Sequence, residues 1–115
     1  MNPRRVHELM RQRFPAVMGA SREWIVITDE KGLRSNVLAG LIDDHVRTDE
    51  VLVEANRKVG DLLPKQASIE FVAAHVGQGE IRLTNRDFNG FVVIAQNGVA
   101  TGWTAEESRY RRALI

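Results

Sequence analysis

The sequence predicts a single α+β domain with a five- or six-stranded, mostly antiparallel sheet. Three observations predict this fold class: an amphipathic helical pattern at the N-terminus, a second one at about residues 48–63, and two Asn-Gly pairs in a β-rich segment near the C-terminus. At 115 residues the chain has the usual size of one domain and is too short for two. We therefore treat residues 1–115 as one folding unit.

The N-terminal segment has the pattern of an amphipathic helix. Asn2 can cap it, and Pro3 suits the first helical position. Pro15 disfavours helical geometry at Phe14, so the helix should end there. Arg13 falls on the apolar side, where we expect its stem to lie on apolar surface while its charge reaches water. That apolar side carries Val6, Leu9, Met10, Phe14 and Val17.

A short strand is predicted at residues 24–28, where aromatic and β-branched residues follow one another. Because this run is continuously apolar rather than alternating, we expect a central strand that is covered on both faces. A turn at residues 29–32 ends it, and Gly32 can supply the positive φ that tight turns need. Residues 33–38 are expected to return as the second strand of a hairpin.

A central helix is predicted at about residues 48–63. Thr48 can cap it, acidic residues follow in the first turn, and Pro64 ends it. Its apolar side is formed by Val51, Leu52, Ala55, Val59, Leu62 and Leu63. Residues 68–76 then have a strand pattern, although the two alanines at 73–74 also suit a helix.

The most specific structural signal predicts a three-stranded meander over residues 81–103. Asn-Gly pairs at 89–90 and 97–98 flank the apolar segment 91–96. Asn-Gly between β segments is the strongest short-range hairpin signal, so we expect a turn at each pair. After the meander, the capping box at residues 104–107 predicts a short C-terminal helix.

The meander has one face suited to a core and a second face that is too apolar for ordinary surface. Either the predicted helices cover this second face, or it is an exposed patch that binds another molecule. In the latter case a twofold homodimer is the simplest way to bury it, because one patch repeated by a twofold axis covers itself. The candidate interface residues are Arg82, Arg86, Phe88, Phe91 and Val93.

A basic N-terminal segment points to an alternative partner. Residues 1–22 contain five arginines against Glu8 alone, although the whole chain has a net charge of only +1. A helix built from this segment can hold the phosphates of a nucleic acid. The candidate nucleic-acid residues are Arg4, Arg5 and Arg11.

The sequence contains no catalytic, cofactor-binding or metal-binding motif that we can identify. The absence of cysteine removes disulfides, thiolate metal ligands and cysteine nucleophiles. The acidic and histidine side chains at residues 43–45 are adjacent on one segment, so they cannot surround a metal ion. We therefore expect no cofactor and no metal.

Targeting signals are also missing from the pattern. Charged residues separate the apolar residues of the N-terminal segment, which excludes a secretory signal. The longest apolar runs, such as residues 91–95, are far shorter than a membrane span. By elimination we expect a cytoplasmic protein with no membrane partner.

Three classes of function remain after these exclusions. The favoured hypothesis is a non-enzymatic protein-interaction module that self-associates as a homodimer. The second is a nucleic-acid-binding protein that uses the arginine-rich N-terminal helix. The third is a small ligand-binding protein or enzyme with a pocket between sheet and helices, against which the lack of polar clustering counts most.

Overall fold

The structure is a computed structural model that describes residues 1–16 and 23–106. In chain order the elements are α1 (Pro3–Arg13), β1 (Ile25–Val26), β2 (Thr28–Asp29), β3 (Gly32–Leu33), α2 (Ser35–Leu41), a π-helical turn (Ile42–Val46), β4 (Glu50–Asn56), β5 (Val59–Pro64), α3 (Lys65–His75), β6 (Ile81–Thr84), β7 (Gly90–Ile94) and β8 (Val99–Thr104). Six strands form one antiparallel sheet in the order β1-β8-β7-β6-β4-β5, and β2 pairs with β3 in a separate small hairpin. This architecture confirms the α+β class.

Helix α1 begins and ends where the sequence predicts. The Asn2 side chain accepts the backbone N–H of Arg4 at 2.8 Å, and Pro3 is the first helical residue. Phe14, which precedes proline, has an extended backbone with φ −77° and ψ 122°. The capping pattern therefore identifies both ends of this helix correctly.

The predicted central helix at about residues 48–63 is wrong, because this segment forms the antiparallel hairpin of β4 and β5. Residues 51–53 are all buried, as in a strand that is covered on both faces, whereas an amphipathic helix buries one side. The Asn56 side chain accepts the backbone N–H of Lys58 at 2.9 Å within the turn. The apolar residues of β4, which is buried on both faces, and of the half-buried β5 together reproduce a helical spacing.

The strand predicted at residues 68–76 is also wrong, because this segment belongs to α3. Its buried residues, Ser68, Ile69 and Val72, recur at helical spacing, and α3 packs on β4 and β5. The exposed alanines at 73–74 suit a helix surface. The chain up to Pro64 therefore forms strands and the chain after it forms a helix, which is the opposite of the order that the sequence predicts.

The first strand lies at the edge of the sheet rather than in its centre. β1 pairs only with β8 among the described residues, and just Ile27 of the run 24–28 is fully buried. Gly32 has the expected positive φ of 112° in the turn between β2 and β3. The return strand expected at 33–38 ends at residue 33, since α2 starts at Ser35.

The three-stranded meander is confirmed by the pairing of β6, β7 and β8. The reversal at 95–98 uses Gly98 with φ 86°, and it closes through the Gly98 N–H to the carbonyl of Ala95 at 3.0 Å. The turn expected at 89–90 is wrong, because Gly90 already belongs to β7. The chain reverses at residues 85–88, where Phe88 has a φ of 53°.

Register decides which face of the sheet carries Trp103. A two-residue turn at the Asn-Gly pair 97–98 would place Trp103 opposite Val92, but Trp103 pairs with Phe91, one position away. Because side chains alternate between faces, this one-residue difference moves Trp103 onto the face of Phe91 and Val93. The larger of the two cores lies on the other face, under α2, the π-helical turn and α3.

Helix α1 covers the second face of the sheet. Its residues Val6 and Met10 are completely buried against Phe91, Val93 and Trp103. The N-terminal helix therefore separates a complete second core from solvent. The predicted C-terminal helix lies mostly beyond residue 106, outside the described residues; its first two positions, residues 105 and 106, are described and are helical.

Candidate functional site

The apolar part of the predicted interface is interior to the domain. Phe88, Phe91 and Val93 have exposed fractions of 7%, 2% and 0%. Of the two arginines, Arg86 is exposed and lies 3.6 Å from a carboxylate oxygen of Glu50. The first of our two alternatives for this face, coverage by a helix, is what the structure contains.

Arg13 helps to hold α1 over this face. Its guanidinium carbon lies 4.5 Å from the centroid of the Phe88 ring, and its Nη2 donates to the backbone carbonyl of Asp87 at 3.1 Å. The side chain therefore lies over an aromatic ring at the rim while remaining exposed, as its place on the helix predicts.

The candidate nucleic-acid residues all lie on α1 and are exposed. Arg4 and Arg5 approach the carboxylate of Glu8 at 3.9 and 3.6 Å, so part of their charge is compensated locally. Arg11 differs from them, because it forms no ion pair with any described residue and lines a cleft beside the helix.

This cleft lies between α1 and the start of β6 and has a volume of about 590 Å³. Such a volume is typical of small-molecule sites, which combine apolar walls with a few convergent polar groups. The cleft is lined by His7, Met10, Arg11, Phe14, Pro15, Ala16, Glu80 and Arg82.

The imidazole of His7 is held from behind by a buried carboxylate. Its Nδ1 lies 3.0 Å from Oε2 of Glu54, whose side chain is only 8% exposed while that of His7 is 39% exposed. A carboxylate this deeply buried needs a hydrogen-bonding or ionic partner. The pair fixes the ring of His7 at the cleft and leaves its second nitrogen, Nε2, for another partner.

Arg82 lies opposite Glu54 in the pairing of β4 with β6, yet it points its charge elsewhere. Its Nε donates to Oε2 of Glu80 at 3.0 Å, and its guanidinium carbon lies 5.5 Å from the centroid of the Phe14 ring. The side chain is 39% exposed. A guanidinium has five N–H donors, so Arg82 keeps donors for a ligand beyond the one that binds Glu80.

The aromatic wall of the cleft is rigidly supported. The Phe14 ring packs edge-on against Phe91 at a centroid distance of 5.2 Å and against Trp103 at 6.0 Å. Both supporting rings are buried in the second core. The Phe14 ring, which forms the apolar side of the cleft, is therefore packed on the second core and is not an isolated surface side chain.

The arrangement offers groups that suit the binding of an anion beside an apolar group. Two guanidiniums and an imidazole can contact an anion, while Phe14 and Met10 can contact an apolar group. Among the described side chains that line the cleft there is no serine, threonine, cysteine or lysine. Within residues 1–16 and 23–106, no group of three or more acidic or histidine side chains is arranged to hold a metal ion.

The structure brings together two residues that we had assigned to different partners. Arg82 came from the predicted dimer interface and Arg11 from the predicted nucleic-acid surface, and both line the cleft. The pair of His7 and Glu54 was missed. Glu54 lay inside a falsely predicted helix, so the burial of its carboxylate could not be foreseen.

No protein-family model, curated protein or solved structure matches the chain. In the part of the chain that the structure describes, every helix is too short or too polar to cross a membrane. The function must therefore be inferred from the geometry of the cleft and of the surfaces around it.

Proposed function

We propose that the protein is a small binding protein whose α1–β6 cleft takes a ligand with an anionic group and an apolar or aromatic part. The observation that carries this proposal is that Arg11, Arg82 and His7 line one cleft together with the supported ring of Phe14. This develops the third functional class above, in its non-enzymatic form.

The anionic group would lie between Arg11 and Arg82. Arg11 has no ion-pair partner among the described residues, and Arg82 is only partly neutralised by Glu80. Charge-assisted hydrogen bonds from guanidinium to phosphate or carboxylate are about twice as strong as neutral ones. Because Glu80 competes for Arg82, we expect selectivity for a compact, strongly charged anion over a diffuse one.

Isothermal titration calorimetry with phenyl phosphate, benzoate and inorganic phosphate tests the proposal. Phenyl phosphate should bind most tightly, because it combines the charged group with a ring that can stack against Phe14. Replacing Arg11 or Arg82 by glutamine should weaken its binding about tenfold or more, the loss expected for one charged hydrogen bond.

Arg4→Gln is the matched control, because Arg4 is an arginine of the same helix that is 90% exposed and does not line the cleft. This variant should bind phenyl phosphate as the parent protein does. Equal losses from Arg4→Gln and Arg11→Gln would contradict a cleft site. That result would instead favour the nucleic-acid alternative, in which the whole outer side of α1 contacts phosphates.

A further inference from the structure

We propose that Nε2 of His7 accepts a phosphoryl group from a small donor bound in the cleft, so that the protein forms a phosphohistidine. This activity goes beyond ligand binding, and it rests on the proposed function, because the cleft that binds the anion also holds the donor. The donor belongs to the class of reactive phosphate compounds, such as phosphoramidates and acyl phosphates. The inference is carried by the fixed orientation of the imidazole, the arginines next to it, and the buried carboxylate behind it.

The contact with Glu54 orients the imidazole of His7 for attack. Nδ1 of His7 lies 3.0 Å from Oε2 of Glu54. Because a carboxylate accepts hydrogen bonds, it favours the neutral tautomer that has its proton on Nδ1. The lone pair of the neutral ring is then on Nε2, which points away from Glu54, while the ring lines the cleft. A histidine held in this way can act as a nucleophile.

The sheet register and the helical repeat place both cleft arginines next to His7. Arg82 is directly opposite Glu54 in the pairing of β4 with β6, and residues at such positions project from the same face with Cβ atoms about 5 Å apart. Arg11 follows His7 by four residues on α1, so their side chains are neighbours on the helix surface. Arg82 gives its Nε to Glu80, which leaves its terminal nitrogens for a ligand. A phosphoryl group at Nε2 therefore lies beside two cations that stabilise the charge on its oxygens.

The transfer step balances with a phosphoramidate as donor. The lone pair of Nε2 attacks phosphorus and forms a new N–P bond. The N–P bond of the donor breaks, and its electron pair leaves on the already protonated nitrogen as ammonia. The ring of His7 becomes a positively charged phosphoryl imidazolium, and the carboxylate of Glu54, only 8% exposed, lies next to that charge. A carboxylate behind a catalytic histidine stabilises the imidazolium of hydrolases in the same way.

Incubation with phosphoramidate, followed by intact-mass measurement and phosphorus NMR, tests the proposal. The chain should gain one phosphoryl group in an acid-labile, base-stable linkage, as expected for an N–P bond. Proton–phosphorus correlation spectra should assign the group to Nε2 of His7. His75 is the internal reference, because its ring packs on Phe71 at a centroid distance of 4.6 Å, away from the cleft. It should react at least about tenfold more slowly than His7.

Variants separate the role of each group. His7→Gln should abolish the fast modification, and His75→Gln should leave its rate unchanged. Glu54→Gln keeps an acceptor for the Nδ1 proton but loses the charge, so the rate should fall about tenfold or more. Arg82→Gln should lower it similarly, and this position is 39% exposed, so the test does not depend on the folding of the buried Glu54→Gln variant. Thermal melts check the fold of each variant.

Phenyl phosphate distinguishes this proposal from the binding function. A phosphate ester is a much weaker phosphoryl donor than a phosphoramidate, so phenyl phosphate should occupy the cleft and slow the modification of His7 competitively. Binding of phenyl phosphate without any phosphoryl transfer to His7 overturns the phosphohistidine and leaves the binding function intact. Equal rates at His7 and His75, or a rate at His7 that bound phenyl phosphate does not change, also overturn it, because they show ordinary imidazole reactivity. A protein that does not bind phenyl phosphate at all overturns both proposals.

Discussion

Asp61 connects the first residue of the chain to the edge strand β5. Its Oδ1 accepts from the amino group of Met1 at 2.7 Å and from the backbone N–H of Leu62 at 2.7 Å. The hydrogen bond from the amino group is the largest cause that lowers the pKa of the Asp61 carboxyl below its ordinary value of 3.8, while desolvation opposes it. The carboxylate form therefore favours the folded state.

This lowered pKa predicts a pH dependence of stability. Because the folded pKa lies below the unfolded one, the stabilisation by Asp61 is complete above about pH 5 and is lost as the pH falls through the lowered pKa. Its size should be at most about 1 kcal/mol, since the pair is partly exposed. In urea unfolding, the parent protein should have a higher free energy of unfolding than Asp61→Asn, and this difference should decrease as the pH is lowered.

Two comparisons test this assignment. Acetylation of the Met1 amino group should raise the pKa of Asp61 in an NMR titration, because it removes the positive charge. Asp87→Asn, which changes an exposed carboxylate with no ion pair among the described residues, should not reproduce the pH dependence seen with Asp61→Asn. An unchanged Asp61 titration after acetylation would contradict the assignment.

Phe88 combines a buried ring with a backbone conformation that suits glycine. It has a φ of 53°, and its side chain is only 7% exposed beneath the guanidinium of Arg13. Both Phe88→Ala and Phe88→Gly should lose about 3 kcal/mol from the buried ring. Glycine should nevertheless be about 1 kcal/mol more stable than alanine here, because it adopts positive φ without strain. Chemical denaturation that ranks alanine above glycine would contradict this explanation.

At the scale of elements, the π-helical turn lies unusually close to the meander. A Cβ atom at Gly90 would overlap the backbone carbonyl of His45, and one at Gly102 would overlap its ring. Asn85 adds a buried hydrogen bond of 2.8 Å from its Nδ2 to the carbonyl of Val46. These contacts fix the turn against β7 and β8.

Gly90→Ala should therefore destabilise the fold by about 2–3 kcal/mol, because the obstructing atoms belong to the backbone. Gly40→Ala is the matched control, since a Cβ at this exposed position of α2 would contact nothing within 4 Å. It should stabilise the fold by about 0.5–1 kcal/mol through helix propensity. Thermal unfolding in which both variants behave alike would show that the close approach has been misassigned.

Local signals predicted some elements well. The cap at Asn2, the stop at Pro15 and the glycine turn at 97–98 fix conformation through a few adjacent atoms, so they are readable from sequence. A helix was predicted at 48–63, which forms strands, and a strand was predicted at 68–76, which forms a helix. The apolar spacing in both segments is compatible with a helix and with a strand, so burial in the folded structure decides between the two.

The candidate cleft was less predictable than the fold. Arg11 and Arg82 were named as candidate residues of two different surfaces, yet their position at one cleft depends on how α1 lies relative to β6. Packing of that kind depends on contacts between residues far apart in the sequence. The buried carboxylate of Glu54, which contacts His7, was missed because the residues of β4 were predicted to form a helix.

At the scale of the whole molecule, α1 has two roles that depend on each other. Val6 and Met10 close the second core, which removes the sheet face that we had expected to mediate dimerisation. The same helix places His7, Arg11 and Phe14 along one side of the cleft. Covering the sheet therefore creates the binding site that we propose.

Chemical-shift mapping of the amide and side-chain signals during a titration with phenyl phosphate tests the proposed cleft site. We expect the largest shifts on His7, Arg11, Phe14 and Arg82, and we expect the Arg4 and Arg5 signals to move little. Shifts that follow Arg4 and Arg5 on the outer side of α1, or no shifts at millimolar ligand, would contradict it.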